Sequence, residues 1–307
     1  MKNFIDINKI PESSLRMIIN DAKNSKLKRK QKLSGVVDEE QSLKNYLVAL
    51  IFEKPSTRTR VSFDVGVRQL GGETLILFSS DMQLKNGETI SDTAKVLSRY
   101  VDMIMIRTFE ERTIADLTAF SSIPIINGLT DKSHPCQVMA DILTYEEHRG
   151  IIENKKIVWV GDCNNVCLSY MHAAQKFNFN LIISSPLELA SHYKNIFQVD
   201  GLQGKISLEP DPSKAVQGAD LIVTDTHVSM HSEVSSAERR KKLLANYKVT
   251  TALMNEAKPD ALFMHCLPAH RNVEVDAAVI DGPNSVIFDE AENRLHIQKS
   301  IMKWCVS

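Results

Sequence analysis

Residues Ser56, Thr57, Arg58 and Thr59 place three hydroxyl groups and a guanidinium close together in the chain. The first N–H groups of a helix have no partner within the helix, and the helix dipole adds positive potential at the same end. If a helix starts here, a phosphate would accept from those N–H groups while Arg58 supplies a charge-assisted hydrogen bond. An ordinary helix capped by Ser56, with Arg58 in solvent, fits the same residues. The cluster therefore predicts a phosphate site or a simple helix cap, and other residues must distinguish them.

The segments on either side of this cluster predict the strand and the helix that would position it. An apolar run at 46–52 is long enough for a buried strand. The apolar residues Val61, Val65 and Leu70 follow at helical spacing, and a Gly-Gly pair at 71–72 is typical of a helix end. A strand, a turn and a helix in this order are the usual setting of a phosphate-binding helix N-terminus.

Four motifs of the chain resemble the aspartate and ornithine carbamoyltransferase family. The stretch Phe-Glu-Lys-Pro-Ser-Thr-Arg-Thr-Arg at 52–60 is similar to the family signature, and His-Pro-Cys-Gln at 134–137 is similar to its second carbamoyl phosphate segment. The segments His-Cys-Leu-Pro at 265–268 and Glu-Ala-Glu-Asn-Arg at 290–294 resemble the ornithine branch of the family. The motifs occur in the right order, and from them the chain is identified as a member of this family.

The resemblance implies a set of residues that bind carbamoyl phosphate. Arg107, at the end of an apolar strand, would hold phosphate and carbonyl oxygen together, although taken alone it could be a surface arginine. His134 would bind the carbamoyl oxygen and Gln137 the carbamoyl nitrogen, whereas without the family His134 could be a helix cap. The set implied in this way is Ser56, Thr57, Arg58, Thr59, Gln83, Arg107, His134, Gln137, Cys266, Leu267 and Arg294.

Members of this set that lie outside the first motifs have alternatives of their own. Gln83 lies in a polar loop that in relatives reaches a neighbouring subunit's active site, so the resemblance implies a homotrimer with shared sites. Cys266 and Leu267 would contact the carbamoyl group through their backbones. A covalent role for Cys266 is disfavoured, because no histidine and acid pair is evident to activate it. Arg294 could instead pair with Glu290 at helical spacing.

A second set of residues is implied to bind ornithine. Asn165 ends a turn that resembles the ornithine branch's contact to the α-carboxylate, although a structural Asx turn is the alternative. Asp225 follows the strand at 221–224 and would bind the ammonium group, or else cap a turn. Ser229 and Met230 lie in a segment that resembles the loop closing on ornithine. Together with the first set, this predicts Arg107, His134, Asp225 and Cys266 as the catalytic residues.

The second half of the chain departs from the family pattern at three positions. Cys163 stands where the turn usually has glycine, Leu168 where histidine or asparagine is common, and His231 where relatives usually have glycine. If the lost glycine at 163 needed a positive φ, strain of about 1 kcal/mol would follow.

Composition excludes several other classes of protein. The 307 residues carry 37 Lys and Arg against 38 Asp and Glu, so no global positive field exists to bind nucleic acid or an anionic membrane. No signal peptide or membrane span is predicted, and five cysteines follow no disulfide framework, which together favour a cytoplasmic protein. Cys163, Cys167 and His172 match none of the usual zinc spacings. We expect no metal and no organic cofactor.

Short apolar runs alternate with helical patterns from residue 46 to residue 290, which predicts an α/β fold with parallel sheets. We expect two doubly wound domains joined by bridging helices. The predicted carbamoyl phosphate domain covers 1–149, with a closing helix at about 290–307 packed back onto it, and the predicted ornithine domain covers 150–289. Ligands of such sheets bind beyond the carboxyl ends of the strands.

The resemblance implies an enzyme that transfers the carbamoyl group of carbamoyl phosphate to the side-chain amine of ornithine, giving citrulline and phosphate, with arginine biosynthesis as the expected setting. A carbamoyltransferase acting on putrescine, N-acetylornithine or aspartate is the alternative within this class. A catalytically silent relative that binds ligands or partner proteins is the alternative from another class. The departures at Cys163, Leu168 and His231 motivate that last hypothesis.

Overall fold

The computed structural model describes residues 2–83, 87–191, 205–227 and 234–307. The chain divides into two compact units. The first unit comprises Met1–Leu143 and Glu292–Ser307, and the second comprises Thr144–Ala291. Each unit contains one parallel sheet with helices in the connections, so the predicted α/β fold class is confirmed.

The first unit contains a four-stranded sheet whose strands are all parallel. Its elements in chain order are α1 (Glu12–Lys28), β1 (Leu47–Phe52), α2 (Thr57–Gln69), β2 (Glu73–Phe78), α3 (Ile90–Leu97), β3 (Met103–Arg107), α4 (Glu111–Phe120), β4 (Ile125–Leu129) and α5 (Pro135–Arg149). The last helix of the chain, α12 (Ile287–Val306), begins in the second unit and ends in this one.

The strand order of the first sheet is β2-β1-β3-β4, so the chain changes direction across the sheet between β1 and β3. Ligands of doubly wound sheets bind at such a switch point, beyond the carboxyl ends of the strands. Phe52, the last residue of β1, is the register partner of Arg107, the last residue of β3. Arg107 therefore stands at the switch point, directly beside the loop that leads into α2.

Helix α2 begins as its sequence predicts. Ser56 is the N-cap, and its Oγ accepts a hydrogen bond from the Thr59 N–H at 3.2 Å. The predicted apolar face is only partly correct, since Val61 is 51% exposed while the buried apolar side chains are Phe63 and Val67. The spacing of apolar residues identified the helix but placed its buried face about half a turn away from the observed one.

The second unit contains a five-stranded parallel sheet. Its elements are β5 (Lys156–Val160), α6 (Asn165–Phe177), β6 (Asn180–Ser184), α7 (Leu187–Ala190), β7 (Ile206–Leu208), α8 (Pro212–Val216), β8 (Leu221–Thr224), α9 (Val234–Leu244), α10 (Thr251–Asn255), β9 (Leu262–His265), α11 (Ala277–Ile280) and α12 (Ile287–Val306). Strand β7 could not be expected from the sequence pattern. It is three residues long, too short for a clear periodic signal.

The strand order of the second sheet is β7-β6-β5-β8-β9, which puts its switch point between β5 and β8. Thr224, at the end of β8, donates its hydroxyl to the Val160 carbonyl at the end of β5 across 2.6 Å. The turn after β5 and the residue Asp225 after β8 are therefore neighbours at this edge of the sheet. Among the described residues, no helix combines the length and apolar character needed to cross a membrane.

Candidate active site

The first unit gathers positive charge around a buried histidine. His134, directly before α5, is 4% exposed. Burial lowers the pKa of His134 well below its usual value, and the positive charges of Arg294, Arg107 and Arg58 lower it further. The imidazole is therefore neutral near pH 7, and the charge at this edge of the sheet comes from the arginines. Such an arrangement attracts an anion while leaving a neutral imidazole to contact it.

Arg294 joins two of the predicted ligand residues by hydrogen bonds. One guanidinium nitrogen donates to Gln137 Oε1 and another to Thr59 Oγ1, each at 2.9 Å. Gln137 in turn donates through Nε2 to Asp141 at 2.8 Å. All three predicted residues are buried, so their side chains are held in one arrangement before any ligand binds.

Hydrogen bonds connect the loop between β1 and α2 to the residues that follow β3. Phe109 donates its N–H to Glu53 Oε2 at 3.2 Å, and the Thr108 hydroxyl donates to the same oxygen. Lys54 forms an ion pair with Asp131, so its charge is matched by a carboxylate within the first unit. These contacts hold the loop that carries the cap of α2 next to Arg107.

Ser56 and Arg58 are half-buried, and Thr57 is exposed at the start of α2. Gln83 lies on the exposed surface, shortly after the turn Ser79–Asp81. The predicted residues Ser229 and Met230, and the departure His231, lie outside the described residues.

In the second unit, Asp225 accepts hydrogen bonds from three donors. Asn164 Nδ2 donates to Oδ2 at 2.7 Å, while the Thr226 N–H and Cys266 Sγ donate to Oδ1 at 2.7 and 3.1 Å. The donors come from the turns after β5, β8 and β9, which the strand order brings together. The half-buried carboxylate is thus oriented by its surroundings and suits a cationic ligand group.

The turn after β5 is built around Asn164, the N-cap of α6. Its Oδ1 accepts from the Val166 and Cys167 N–H groups at 3.0 and 3.1 Å, while its Nδ2 donates to Asp225. The predicted ligand residue Asn165 follows as the first residue of α6 and is half-buried. Sequence reasoning assigned no role to Asn164, although asparagine before a helical pattern is a recognisable cap signal.

Asp162 in the same turn forms an ion pair with Arg240 of α9. Burial raises the pKa of Asp162 to about 6, and the negative charge of Asp225 raises it as well, while Arg240 acts in the opposite direction. This contact connects the turn after β5 to the helix that follows residues 228–233. Neither the pairing nor the pKa shift is visible in the sequence, since Asp162 and Arg240 are 78 positions apart.

The segment 265–268 is held from within the second unit. His265 Nδ1 accepts from the Leu267 N–H at 2.9 Å, and its Nε2 lies 3.2 Å from Glu274 Oε1. His265 and Glu274 therefore form a buried histidine and acid pair directly before Cys266 in the chain. The pair nevertheless does not activate the thiol, because His265 uses Nδ1 for the Leu267 N–H and the thiol donates to Asp225.

Donor atoms of Asp225, His265 and Cys266 lie within 4.8 Å of one another, a grouping that could be considered for a metal ion. A metal-bound imidazole needs a nitrogen lone pair. His265 Nδ1 already accepts from the Leu267 N–H, and its other nitrogen faces Glu274. The grouping fits hydrogen bonding better than metal binding.

Comparison with known proteins covers both units. The carbamoyl-P binding domain of the Aspartate/ornithine carbamoyltransferase family matches residues 2–147, and the Asp/Orn binding domain of that family matches residues 153–305. The chain belongs to the aspartate/ornithine carbamoyltransferase family. The resemblance inferred from four short motifs is thereby confirmed over almost the whole chain.

Individual members of the family match over their full length. An ornithine carbamoyltransferase from Ruegeria pomeroyi is 58% identical, and the match covers 100% of this chain and 99% of the relative. The ornithine carbamoyltransferase structure from Pyrococcus furiosus has a TM-score of 0.91 at 42% identity, covering 98% of this chain and 96% of that one. A structure described as anabolic ornithine carbamoyltransferase from Campylobacter jejuni has a TM-score of 0.86 at 32% identity, covering 100% and 99%.

The backbone φ angles of the turn after β5 show whether Cys163 is strained where relatives usually have glycine. Cys163 is not among the described non-glycine residues with positive φ, whereas Gly161 in the same turn has φ +125°. The condition for strain at Cys163 is therefore not met, because Gly161 provides the unusual conformation of the turn. The thiol is 6% exposed and lies 3.7 Å from Cys167 Sγ.

We expect Cys163→Gly to destabilise the protein. Glycine at a position that other residues adopt without strain enlarges the conformational freedom of the unfolded chain, which lowers the free energy of unfolding by about 0.4–1 kcal/mol. Loss of the buried thiol adds to this effect. Urea unfolding of the variant and the parent measures the difference, and a more stable variant would show that Cys163 is strained after all.

His134 predicts a dependence of stability on pH. Because its pKa is lower in the folded protein, the unfolded chain binds the extra proton as pH falls below about 6.5, so the stability contributed by the neutral imidazole is lost in that direction. We expect His134→Asn to make the free energy of unfolding fall less steeply between about pH 6.5 and 5, by up to about 1.4 kcal/mol per pH unit.

Urea unfolding at several pH values measures this slope for the variant and the parent. Asp162 and His227 also have shifted pKa values, but they are present in both proteins, so the difference between slopes isolates His134. Parallel slopes would contradict the assigned neutral state.

Proposed function

We propose that this protein transfers the carbamoyl group of carbamoyl phosphate to the side-chain amine of L-ornithine, producing L-citrulline and phosphate. Family membership and the full-length similarity to ornithine carbamoyltransferases support this assignment. The observation that carries the choice of acceptor is Asp225, a carboxylate held by three donors at the switch point of the second sheet. We assign carbamoyl phosphate to the first unit and ornithine to the second.

The charge of Asp225 distinguishes an amine acceptor from an acidic one. Ornithine presents an ammonium group, which the carboxylate attracts, whereas the side-chain carboxylate of aspartate would be repelled at the same place. Asn164 and Thr226 both donate to Asp225, which keeps its oxygens oriented as acceptors. These contacts favour ornithine over aspartate.

Carbamoyl phosphate suits the groups of the first unit. The start of α2, with the Ser56 cap, offers N–H groups and hydroxyls to the phosphate. Arg58, Arg107 and Arg294 are the proposed source of positive charge for a doubly charged phosphate, and their lowering of the pKa of His134 supports a place for all three near that residue. Gln137 supplies an amide, which can both donate to and accept from the carbamoyl group.

The reaction requires a neutral amine. The side-chain amine of ornithine resembles that of lysine, whose pKa is about 10.4, so reaching the neutral form at pH 7 costs roughly 4.6 kcal/mol. Asp225 orients this amine but favours its charged form. Cys266 donates its S–H to Asp225, so a thiol in that state is not a proton acceptor. The first ammonium proton is released to solvent in reaching the neutral form, and the departing phosphate of the substrate is the proposed acceptor for the second proton, which the nitrogen loses once the C–N bond has formed.

The neutral amine then attacks the carbamoyl carbon, and negative charge develops on the carbonyl oxygen. Arg107, His134 and Thr59 are the proposed donors to this oxyanion. The Thr59 hydroxyl accepts from Arg294, which leaves its own O–H to donate to a ligand. A neutral imidazole has one N–H to donate. Phosphate leaves while the positive end of α2 and the arginines hold it.

A homotrimer with shared sites is part of this proposal, and the edge of the first sheet supports it. Strand β2 is an edge strand whose apolar residues Leu75, Ile76 and Phe78 are 40, 37 and 39% exposed. Gln83 follows shortly after on the same exposed surface. Exposed apolar residues at an unpaired sheet edge are typical of a surface where another chain binds. Light scattering tests the assembly, and a monomer in solution would remove Gln83 from the proposed site.

The proposed setting is arginine biosynthesis in the cytoplasm. The name of the Campylobacter jejuni structure includes the word anabolic, which is compatible with that direction for this chain. The five cysteines are all free thiols, as is usual in a reducing compartment.

A colorimetric assay for ureido products tests the proposed reaction. The purified protein is supplied with carbamoyl phosphate and, in separate reactions, ornithine, putrescine, N-acetylornithine or aspartate. We expect citrulline from ornithine at a rate far above that of any other product. Faster turnover of another acceptor would assign a different carbamoyltransferase, and no product from any acceptor would favour the catalytically silent relative.

A further inference from the structure

Glu274 is a fully buried carboxylate that has no place in the reaction described above. It is 0% exposed and lies in the segment between β9 and α11. Its Oε1 faces Nε2 of His265, also 0% exposed, at 3.2 Å, and the same oxygen accepts from the His270 N–H. Burial would raise the pKa of Glu274, but the hydrogen bonds from His265 and His270 outweigh it and lower that pKa. A buried charge is retained in this way when its partners are fixed.

The hydrogen bonds of His265 determine which ring nitrogen carries the proton. The Leu267 N–H can only donate, so Nδ1 of His265 must accept and carries no proton. The ring proton is therefore on Nε2, where it donates to Glu274 Oε1. A carboxylate that accepts from Nε2 stabilises this tautomer, because the hydrogen bond made by one ring nitrogen determines which nitrogen carries the proton.

The tautomer matters because the Leu267 backbone is unusual. Leu267 has φ +56°, a left-handed conformation that a bulky residue rarely adopts. The Leu267 N–H bond to His265 Nδ1 holds the chain in this conformation. The preceding residue, Cys266, is placed so that its Sγ donates to Asp225. A strained residue next to reacting groups persists when its surroundings hold it there.

We propose that Glu274 is a positioning residue, which fixes the His265 tautomer so that segment 265–268 keeps Cys266 and Leu267 in the orientation needed for carbamoyl transfer. Glu274 acts through His265 and does not contact the substrates. The kinetic consequence rests on the proposed function. The tautomer itself does not depend on that function, and it is measured separately.

The kinetic test compares Glu274→Ala with Glu274→Gln. Glutamine presents a carbonyl oxygen where Oε1 stands, so it accepts from both His265 and His270, whereas alanine accepts from neither. We expect kcat to fall about tenfold in the alanine variant and less than about threefold in the glutamine variant. The KM for carbamoyl phosphate should stay within about twofold of the parent, because the first unit binds its phosphate. Glu256→Gln, an exposed carboxylate of the same unit, is the matched control.

The tautomer is measured by NMR of protein labelled with ¹⁵N in its histidines. The His265 signals are assigned by their loss in His265→Asn. We expect an unprotonated Nδ1 and a protonated Nε2 in the parent and in Glu274→Gln, and a mixture of tautomers in Glu274→Ala. A single unchanged tautomer in Glu274→Ala would overturn the proposal, even if the protein transfers no carbamoyl group at all.

A double-mutant cycle tests the path from Glu274 to Leu267. The side-chain oxygen of asparagine in His265→Asn can accept from the N–H two residues later, which replaces Nδ1 without any link to Glu274. We expect Glu274→Ala to change kcat less than about twofold in this background. Equal losses in both backgrounds, or equal losses for Glu274→Ala and Glu274→Gln in the parent, would show that Glu274 does not act through His265.

Discussion

Arg107→Ala is expected to lower kcat by about 10²-fold or more. Arg107 ends β3 beside the loop that leads to α2, and its positive charge acts on His134. In the proposed mechanism, its guanidinium stabilises the oxygen on which charge develops during attack by the amine. Loss of one such donor typically costs about 2.7 to 4 kcal/mol of transition-state stabilisation, which corresponds to a factor of about 10² to 10³.

The test of this prediction separates catalysis from binding and from folding. Initial rates at varied carbamoyl phosphate give kcat and KM, and urea unfolding reports whether the variant is folded. Arg112→Ala is a matched control, because Arg112 lies on α4 of the same unit with its side chain 85% exposed. We expect the control to keep the parent's kcat. Near-normal turnover of Arg107→Ala would remove Arg107 from the proposed oxyanion donors.

Asp225→Asn is expected to lower kcat/KM for ornithine by about 10²-fold. The substitution removes the charge that attracts the ammonium group, and hydrogen bonds to charged groups contribute about 1.5–3 kcal/mol each. It also sets an amide against Asn164, whose Nδ2 needs an acceptor at 2.7 Å. Because the proposed role of Asp225 is to bind and orient the amine, the larger part of the loss should appear in KM for ornithine.

Initial rates at varied ornithine, with carbamoyl phosphate saturating, measure this effect. Asp260→Asn is the control, since Asp260 is an exposed carboxylate of the second unit and makes a surface contact with Arg149. The control should match the parent in both constants. If Asp225→Asn raised the KM for carbamoyl phosphate instead of the KM for ornithine, the assignment of the two substrates to the two units would be wrong.

Several features of the fold were predictable because their signals are local. Strand β1 is a run of apolar residues, all of them buried except the first, which is partly buried. The Ser56 cap depends on a hydrogen bond with Thr59, only three positions away. The alternation of strands and helices predicted parallel sheets, whose carboxyl ends meet at one edge. Arg107 and Asp225 could therefore be placed at such edges without knowledge of any contact.

Other features depended on which strands became neighbours. The partners of Asp225 come from three separate turns, and strand order, rather than proximity in the chain, brings them together. The pairing of His265 with Glu274 was missed for a related reason. Sequence spacing gives no indication that a buried acid nine residues later folds back onto the end of β9.

The order of residues along the chain determined the helix start with its hydroxyls and Arg58, the strand ends that carry Arg107 and Asp225, and the motifs of the family. The helix start and the strand ends depend on interactions within a few residues, so spacing suffices to predict them, whereas the motifs were identified by their resemblance to the family. The folded chain decided which groups meet. Arg294 donates to Gln137 and Thr59, residues that lie 157 and 235 positions away, and long-range packing rather than spacing sets such contacts. Folding likewise decided the protonation of His134, because burial and the surrounding arginines lower the pKa of its ring. It also decided the tautomer of His265, because the Leu267 N–H donates to Nδ1 of that ring.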